Sequence, residues 1–171
     1  MSELNFAVQA VGSGSGPSGA GELRTSGGAL PYAAPAEIGG KGVGTSPEEL
    51  LAAAVATCCS GTLYRVLERQ GLPVQRIALR AEATVEAYPE AARLSRITVH
   101  PQIQGGDPLR IAAYREQAMR ARDLCFIGKA VRASVAYEVG EVEVQSQLPS
   151  WPSAVRPAPR RRRPRDGGGA P

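Results

Sequence analysis

A long apolar helix constrains what this chain can fold into more than any other feature of its sequence. The helix is predicted over residues 46–71, because Ser46 is a good N-cap residue and Pro47 suits the first helical position. Glu49 completes a capping box with Ser46, and Gly71 marks the C-terminal end. A helix this apolar is buried on more than one side, so we expect it at the centre of the fold. Its broad, mostly apolar stripe consists of Leu50, Leu51, Ala54, Val55, Cys58, Thr62 and Val66.

The segments around this helix predict an α+β fold. A second helix is predicted over residues 107–124, with Asp107 as its cap and Pro108 in its first turn. Alternation of apolar and polar residues, or a short apolar run, predicts strands elsewhere. The order strand, helix, strand, strand, helix, strand is typical of the α+β class. The predicted strands are residues 4–11, a short strand around Leu23 within 21–33, 74–88, 94–104 and 131–144.

The charge distribution separates the chain into a body and a tail. The formal net charge of the 171 residues is +4, but residues 156–171 contain six Arg and one Asp. The rest of the chain has 14 basic and 15 acidic residues. We therefore predict one folded domain over residues 1–147 and a disordered Pro-, Arg- and Gly-rich tail over residues 148–171. We expect the tail to be solvated without a specific partner, although nonspecific contact with nucleic acid or acidic lipid is an alternative.

The remaining composition favours a cytoplasmic protein with reduced thiols. No apolar run is long enough for a membrane span, and the N-terminus lacks the pattern of a secretory signal. Three cysteines, an odd number, argue against a disulfide framework and for thiols in a reducing compartment. His100 is the only histidine, so no metal site of the usual spacing is predicted, and we expect His100 to be structural.

The three cysteines are the strongest candidates for chemistry. Cys58 and Cys59 are adjacent in the first helix and point about 100° apart, so either one could face the core. Cys125 lies at a predicted helix-to-strand junction. If folding brings it to one of the pair, the two thiols can form a reversible disulfide, as a thiol peroxidase requires. The alternative is that all three merely pack, because free cysteine is among the most buried residue types.

Two sequence blocks resemble a known family. "GTSPEELLAAAVATCCSGTL", residues 44–63, and "LCFIGKAV", residues 124–131, are similar to the cysteine blocks of the OsmC/Ohr-type organic hydroperoxide reductases. The resemblance extends over roughly residues 4–144. It implies an OsmC-like two-layer fold, in which antiparallel-rich sheets pack on a long central helix and a second helix, and an intertwined homodimer with active sites at the interface.

The resemblance also implies roles for individual residues. It assigns Cys58 as the peroxidatic thiol and Cys125 as the resolving thiol, and leaves Cys59 as a packing residue. It implies a catalytic Glu that matches Glu48, for which simple stabilisation of the helix dipole is the alternative. The implied substrate is an organic or fatty-acid hydroperoxide, and the implied reductant is an external dithiol such as a lipoyl group or a small thiol. No metal or haem is implied.

The sequence departs from the family pattern in two places. The family's arginine, which pairs with the thiolate, has no residue at its usual position, and Arg24 is the only Arg before the first helix. We expect Arg24 to take this catalytic role through a loop adjustment, and the alternative is a weakly activated thiolate. Lys41 is the other nearby cation. In the second block, Phe126 and Gly128 stand where Pro and Ser are usual. These departures indicate a divergent member and leave a second reading open, namely a non-catalytic small-molecule-binding or redox-sensing protein on the same fold.

Overall fold

The predicted long helix is present at the centre of the fold. In the computed structural model, which describes residues 3–147, it is α1, Pro47–Arg69. The Glu49 N–H donates to Ser46 Oγ at 3.1 Å, and Glu49 Oε2 accepts from the Ser46 N–H at 2.8 Å, which is the predicted capping box. The predicted tail, residues 148–171, lies outside the described residues.

Two sheets and two further helices complete the α+β fold. β1 (Gln9–Ser13), β2 (Ala20–Thr25) and β3 (Gly28–Ala33) form an antiparallel sheet in that order. The second sheet has β4 (Arg76–Glu86) antiparallel to β5 (Arg93–Gln104), and both β6 (Ala136–Val139) and β7 (Glu143–Gln145) pair with β5 in parallel. α2 (Ile111–Leu124) and α3 (Phe126–Val131) lie between β5 and β6 in the chain. The predicted strand pair 74–88 and 94–104 and the predicted helix 107–124 are thus confirmed.

The N-terminal strand was predicted too early in the chain. Leu4, Phe6 and Val8 precede β1 and are exposed, with Phe6 92% accessible. Alternation indicates a strand only where a neighbouring strand or core covers the apolar side. Within this chain nothing described covers these side chains.

The single strand predicted over residues 131–144 is wrong. The segment begins with the end of α3, where the Lys129 N–H donates to the Cys125 carbonyl and the Arg132 N–H to the Gly128 carbonyl. The extended part is then divided at Gly140 into β6 and β7. A Cβ at Gly140 would lie 2.5 Å from Cε1 of His100, so the chain passes too close to that ring for a side chain.

The core has two parts, and α1 contributes to both. The first, around α2, consists of Leu63, Leu67, Leu72, Ile103, Tyr114, Ala118, Ala121 and Val142. The second, which we call the cysteine cluster, consists of Val55, Cys59, Ile97, Val99, Cys125, Val135 and Tyr137. By length and composition alone α1 could cross a membrane. Its packing against β4, α2 and α3 explains the same apolarity as that of a core helix.

Candidate thiol site

The two adjacent cysteines of α1 occupy different environments. Cys59 is 1% exposed and packs beside Val55 in the cysteine cluster. Cys58 is half-buried and lies against the edge of that cluster. The sequence left open which face of α1 is the core, and the structure places Cys59 on it and Cys58 at its margin.

Cys125 lies at a junction between two helices, not at the predicted helix-to-strand junction. Its N–H donates to the Ala121 carbonyl at 2.8 Å and ends α2. Its sulfur accepts from the Gly128 N–H at 3.3 Å and so serves as the N-cap of α3. Its side chain is fully buried. Hydrogen bonds to backbone groups therefore hold both the main-chain nitrogen and the sulfur of Cys125 in place.

Folding brings Cys58 and Cys125 together. α3 packs against α1, and the Ile127 N–H donates to Cys58 Sγ at 3.5 Å. The two thiols are close enough that each shifts the pKa of the other. The first turn of α3 thus directs one N–H to each sulfur, from Ile127 to Cys58 and from Gly128 to Cys125.

The environments of the two thiols push their pKa values apart. Burial raises the pKa of Cys58, but hydrogen bonds from the Ile127 N–H, the Cys125 thiol and the Phe126 N–H, with a smaller effect of the nearby Thr62 hydroxyl, together lower it below its ordinary value. Burial, only partly opposed by the Gly128 N–H, raises the pKa of Cys125 to about 11. Cys58 is therefore the thiol that ionises first, and Cys125 is its protonated donor.

The predicted cation does not approach this site within the chain. Arg24 lies on β2, is exposed, and places its Nε 2.7 Å from Glu22 Oε1. Every group that lowers the pKa of Cys58 is neutral, and neither Arg24 nor Lys41 is among them. Within one chain the described residues show no contact between Arg24 and either thiol, and the role of Arg24 beside the thiolate stays a prediction.

Glu48 is also separate from the thiols in this chain. It lies in the first turn of α1, and its Oε2 is buried without a hydrogen-bond partner among the described residues. It faces a groove of about 460 Å³ whose walls include Ala83 and Val85 of β4 and Tyr88 of the turn that follows β4. Neither thiol lines this groove. A buried carboxylate oxygen without a partner calls for a donor from outside the chain.

No metal-binding cluster accompanies the thiols within residues 3–147, where no group of three or more His, Cys, Asp and Glu side chains converges. The one histidine, His100, has a structural role in the second sheet, where its Nδ1 accepts from the Glu141 N–H at 3.2 Å.

Sequence reasoning missed the neutral groups around the sulfurs. Thr62 follows Cys58 by one helical turn, a spacing that could have indicated it. Its hydroxyl donates to the Cys58 carbonyl at 2.9 Å, next to the sulfur. No sequence pattern could have indicated the Ile127 N–H, because a backbone N–H is directed at the Cys58 sulfur only by the conformation of α3. Tyr137 was assigned to a strand without a role, and it lies in the cysteine cluster.

A comparison with known protein families matches the part of the chain that carries the thiols. The family model described as "OsmC-like protein" matches residues 39–140, which include all three cysteines and Glu48. The uncharacterized protein YmaD of Bacillus subtilis (strain 168) is 27% identical over 108 residues, 61% of this chain and 72% of that protein.

Solved structures share the fold over most of the chain. An organic hydroperoxide resistance protein OsmC from Legionella pneumophila, described as a predicted redox protein, is 26% identical, with a TM-score of 0.63 over 83% of this chain and 100% of that one. The organic hydroperoxide resistance protein OhrB of Bacillus subtilis is 24% identical, with a TM-score of 0.56 over 81% of this chain and 98% of that one, and at this identity supports the fold alone. The family match covers the thiol site itself, and the chain therefore belongs to the OsmC-like protein family.

Proposed function

We propose that this protein is a thiol-dependent peroxidase that reduces organic hydroperoxides, fatty-acid hydroperoxides among them. The observation that carries the proposal is the pairing of a half-buried thiol of lowered pKa, Cys58, with the buried protonated thiol of Cys125. A peroxidatic cysteine must be ionised and reachable, and its resolving partner must wait nearby without reacting first. The hydroperoxide resistance protein that shares 26% identity agrees with this class of activity.

Two steps consume one hydroperoxide. The Cys58 thiolate attacks the terminal oxygen of ROOH, the O–O bond breaks, and ROH leaves after taking up a proton, which gives Cys58 sulfenic acid. The Cys125 sulfur then attacks the Cys58 sulfur, and an S–S bond forms as the S–OH bond breaks. The hydroxide that leaves takes the Cys125 proton and departs as water.

An external dithiol restores the pair. One of its sulfurs attacks the Cys58–Cys125 disulfide, and its second sulfur completes the exchange, so the dithiol is oxidised and both cysteines are reduced. A lipoyl group or another small thiol is the proposed reductant. None of these steps calls for a metal or haem, and a reducing cytoplasm is the proposed compartment.

A second copy of the chain completes the site in this proposal. The sheet β1–β3 packs mainly on itself, and Val11 and Leu30 on it are exposed along with Phe6. A three-stranded sheet with apolar residues uncovered on this scale needs a partner surface. A homodimer that covers this sheet would let Arg24 of one copy approach Glu48 and Cys58 of the other.

Peroxide titration tests the proposed activity. Under the proposal, sub-stoichiometric cumene hydroperoxide consumes two thiols per peroxide, and a lipoyl dithiol sustains turnover. Cys125→Ser accumulates sulfenic acid on Cys58, which dimedone traps, whereas Cys59→Ala behaves as the unsubstituted protein. Loss of thiols without turnover in the presence of the dithiol contradicts the peroxidase proposal and favours the redox-sensing alternative.

Mixed dimers test the role of the second copy. Under the proposal, Arg24→Ala and Cys58→Ser are each impaired alone. Mixed after unfolding and refolding together, they form heterodimers in which the intact Arg24 of one copy serves the intact Cys58 of the other, and turnover returns. If the mixture is no more active than its parts, Arg24 does not act across an interface.

A further inference from the structure

The proposed mechanism does not use Tyr137, although this residue lies beside the thiols. Tyr137 is on β6, is 4% exposed and belongs to the cysteine cluster together with Cys59 and Cys125. Its Oη has no hydrogen-bond partner among the described residues, whereas the hydroxyl of another buried tyrosine, Tyr114, donates to the Pro73 carbonyl at 2.7 Å. Within residues 3–147 no hydrogen bond of the hydroxyl explains the presence of Tyr137, which leaves the packing of its ring.

The ring of Tyr137 lies against the backbone of Gly128 in the first turn of α3. A Cβ built on Gly128 would be 2.3 Å from Cε1 and 2.8 Å from Cδ1 of the ring, closer than real Cβ atoms come to other atoms. Because a Cβ is bonded directly to its Cα, the edge of the ring must be in van der Waals contact with the Gly128 backbone. Gly128 is buried, and a side chain there would push the ring and the turn apart.

The same turn contains two backbone donors of the thiol site. The Ile127 N–H donates to Cys58 Sγ at 3.5 Å, and the Gly128 N–H donates to Cys125 Sγ at 3.3 Å. Hydrogen bonds weaken steeply as they bend, so a small rotation or shift of this turn changes the hydrogen bond that the Cys58 sulfur accepts. The position of the turn therefore controls a neutral donor at the thiol that ionises first.

Helix α3 depends on its neighbours for its position. It has only six residues, Phe126–Val131, and an isolated helix of this length is not stable in water. It packs on α1, and Ile127 packs against the cysteine cluster. Gly128 has no side chain, so the turn can be supported at this residue only through contact with its backbone. Tyr137 provides that contact from β6, where it pairs with Ile97 of β5 and is thus fixed to the second sheet.

We infer that Tyr137 is a positioning residue for the thiol site: its ring holds the first turn of α3 in place from the second sheet and so keeps the Ile127 N–H directed at Cys58 Sγ. The inference deepens the proposed function and rests on it for its biological meaning. Without the ring, the turn loses this support and moves toward the space that the ring vacates. The Cys58 thiolate then loses a hydrogen-bond donor.

Three substitutions separate the ring from the hydroxyl and from a general loosening of the core. Tyr137→Leu removes the ring. Tyr137→Phe keeps the ring and removes only the unpaired hydroxyl, so we expect it to behave as the unsubstituted protein. Tyr114→Leu is the matched control, because Tyr114 is also buried but belongs to the other part of the core, around α2.

Reaction with 5,5′-dithiobis(2-nitrobenzoate) measures the ionisation of Cys58 without peroxide. The Cys58 thiolate attacks one sulfur of the reagent, the S–S bond of the reagent breaks, and a mixed disulfide forms as one thionitrobenzoate leaves. Cys59 and Cys125 are buried, so the first release belongs to Cys58. Stopped-flow absorbance gives its rate as a function of pH. We expect Tyr137→Leu to raise the pKa of Cys58 by about one unit, the effect of losing one hydrogen bond to a charged group.

A higher pKa of Cys58 changes the two ends of the pH profile in opposite directions. Well below the pKa there is about tenfold less thiolate, and its greater nucleophilicity offsets only part of this loss, so the first release slows by about threefold. Well above the pKa every Cys58 is ionised, and the first release becomes about threefold faster. The profiles of Tyr137→Leu and the unsubstituted protein therefore cross. A purely structural defect, as in Tyr114→Leu, leaves the midpoint of the profile unchanged.

The outcomes separate the inference from the proposed function. A folded Tyr137→Leu with the pH midpoint of the unsubstituted protein overturns the inference, as does a Tyr137→Phe that shifts the midpoint as far as Tyr137→Leu does. Should Tyr137→Leu fail to fold, Gly128→Ala decides instead, because its Cβ displaces the turn from the ring and must raise the midpoint, and an unchanged midpoint there overturns the inference. A raised midpoint in Tyr137→Leu supports the positioning role even if the unsubstituted protein does not reduce cumene hydroperoxide, a result that overturns the peroxidase proposal alone.

Discussion

The contact between Gly128 and Tyr137 makes a quantitative prediction about stability. In Gly128→Ala the new Cβ meets Cε1 at 2.3 Å and Cδ1 at 2.8 Å, and the ring is 96% buried, so it has no free space to enter. Overpacking of this kind costs about 1–3 kcal/mol. The better helix propensity of alanine offsets less than about 1 kcal/mol, because position 128 is near the start of the short helix α3. We expect a net loss of about 1–2 kcal/mol.

Urea unfolding at one fixed protein concentration measures this loss, which corresponds to a midpoint lower by roughly 0.5–1 M. Lys129→Ala, exposed on the same helix, should stay within about 0.5 kcal/mol of the original stability. The cause is isolated by a double-mutant cycle with Tyr137→Leu, which removes the ring carbons that the Cβ meets. In that background Gly128→Ala should be neutral or stabilising, and an undiminished loss there would refute the reasoning.

Three further expectations concern the cap and the thiols. Ser46→Ala removes the acceptor of the Glu49 N–H and should lower the free energy of unfolding by about 1 kcal/mol in urea titrations. Iodoacetamide at pH 8 should label Cys58 before Cys125 in peptide mass spectra, and the reverse order would contradict the assigned pKa directions. The folded-state pKa of Cys125 is raised from 9.0 to about 11. The stability that the protonated Cys125 contributes is therefore complete below pH 9 and is lost as the pH rises from 9 to about 11. Unfolding free energy should therefore fall less steeply between these pH values in Cys125→Ser than in the unsubstituted protein.

The parts of the fold that the sequence predicts well are those fixed by local chemistry. α1 carries its start signals within four residues, from Ser46 to Glu49, and the structure shows the same capping box. β4 and β5 alternate over part of their length, because one face of their hairpin packs on α1. In each of these elements, local preference and tertiary packing agree.

The parts that could not be predicted depend on contacts between distant segments. α3 begins at Phe126 because the Cys125 sulfur caps it, and a cysteine is not among the residues that usually indicate a helix start. The valines 131 and 135 suggested a strand, whereas the hydrogen bonds to the carbonyls of Cys125 and Gly128 hold the first of them in α3. The proximity of Tyr137 to Cys125 follows from the parallel pairing of β6 with β5, which no local pattern encodes.

The pKa of Cys58 depends on the neutral hydrogen-bond donors around it and, in the proposed dimer, also on the charge of Arg24 from the second copy. Within one chain, hydrogen bonds from neutral groups lower its pKa, and Arg24 is paired with Glu22 at 2.7 Å. If a second copy brings this pair to Cys58, the carboxylate cancels much of the field of the guanidinium, because an ion pair acts at a distance as a dipole. Glu22→Gln would remove that cancellation and lower the pKa of Cys58, while Arg24→Ala would raise it. The pH dependence of iodoacetamide labelling measures both shifts, and two unchanged profiles would mean that the neutral donors of this chain activate Cys58 without any arginine.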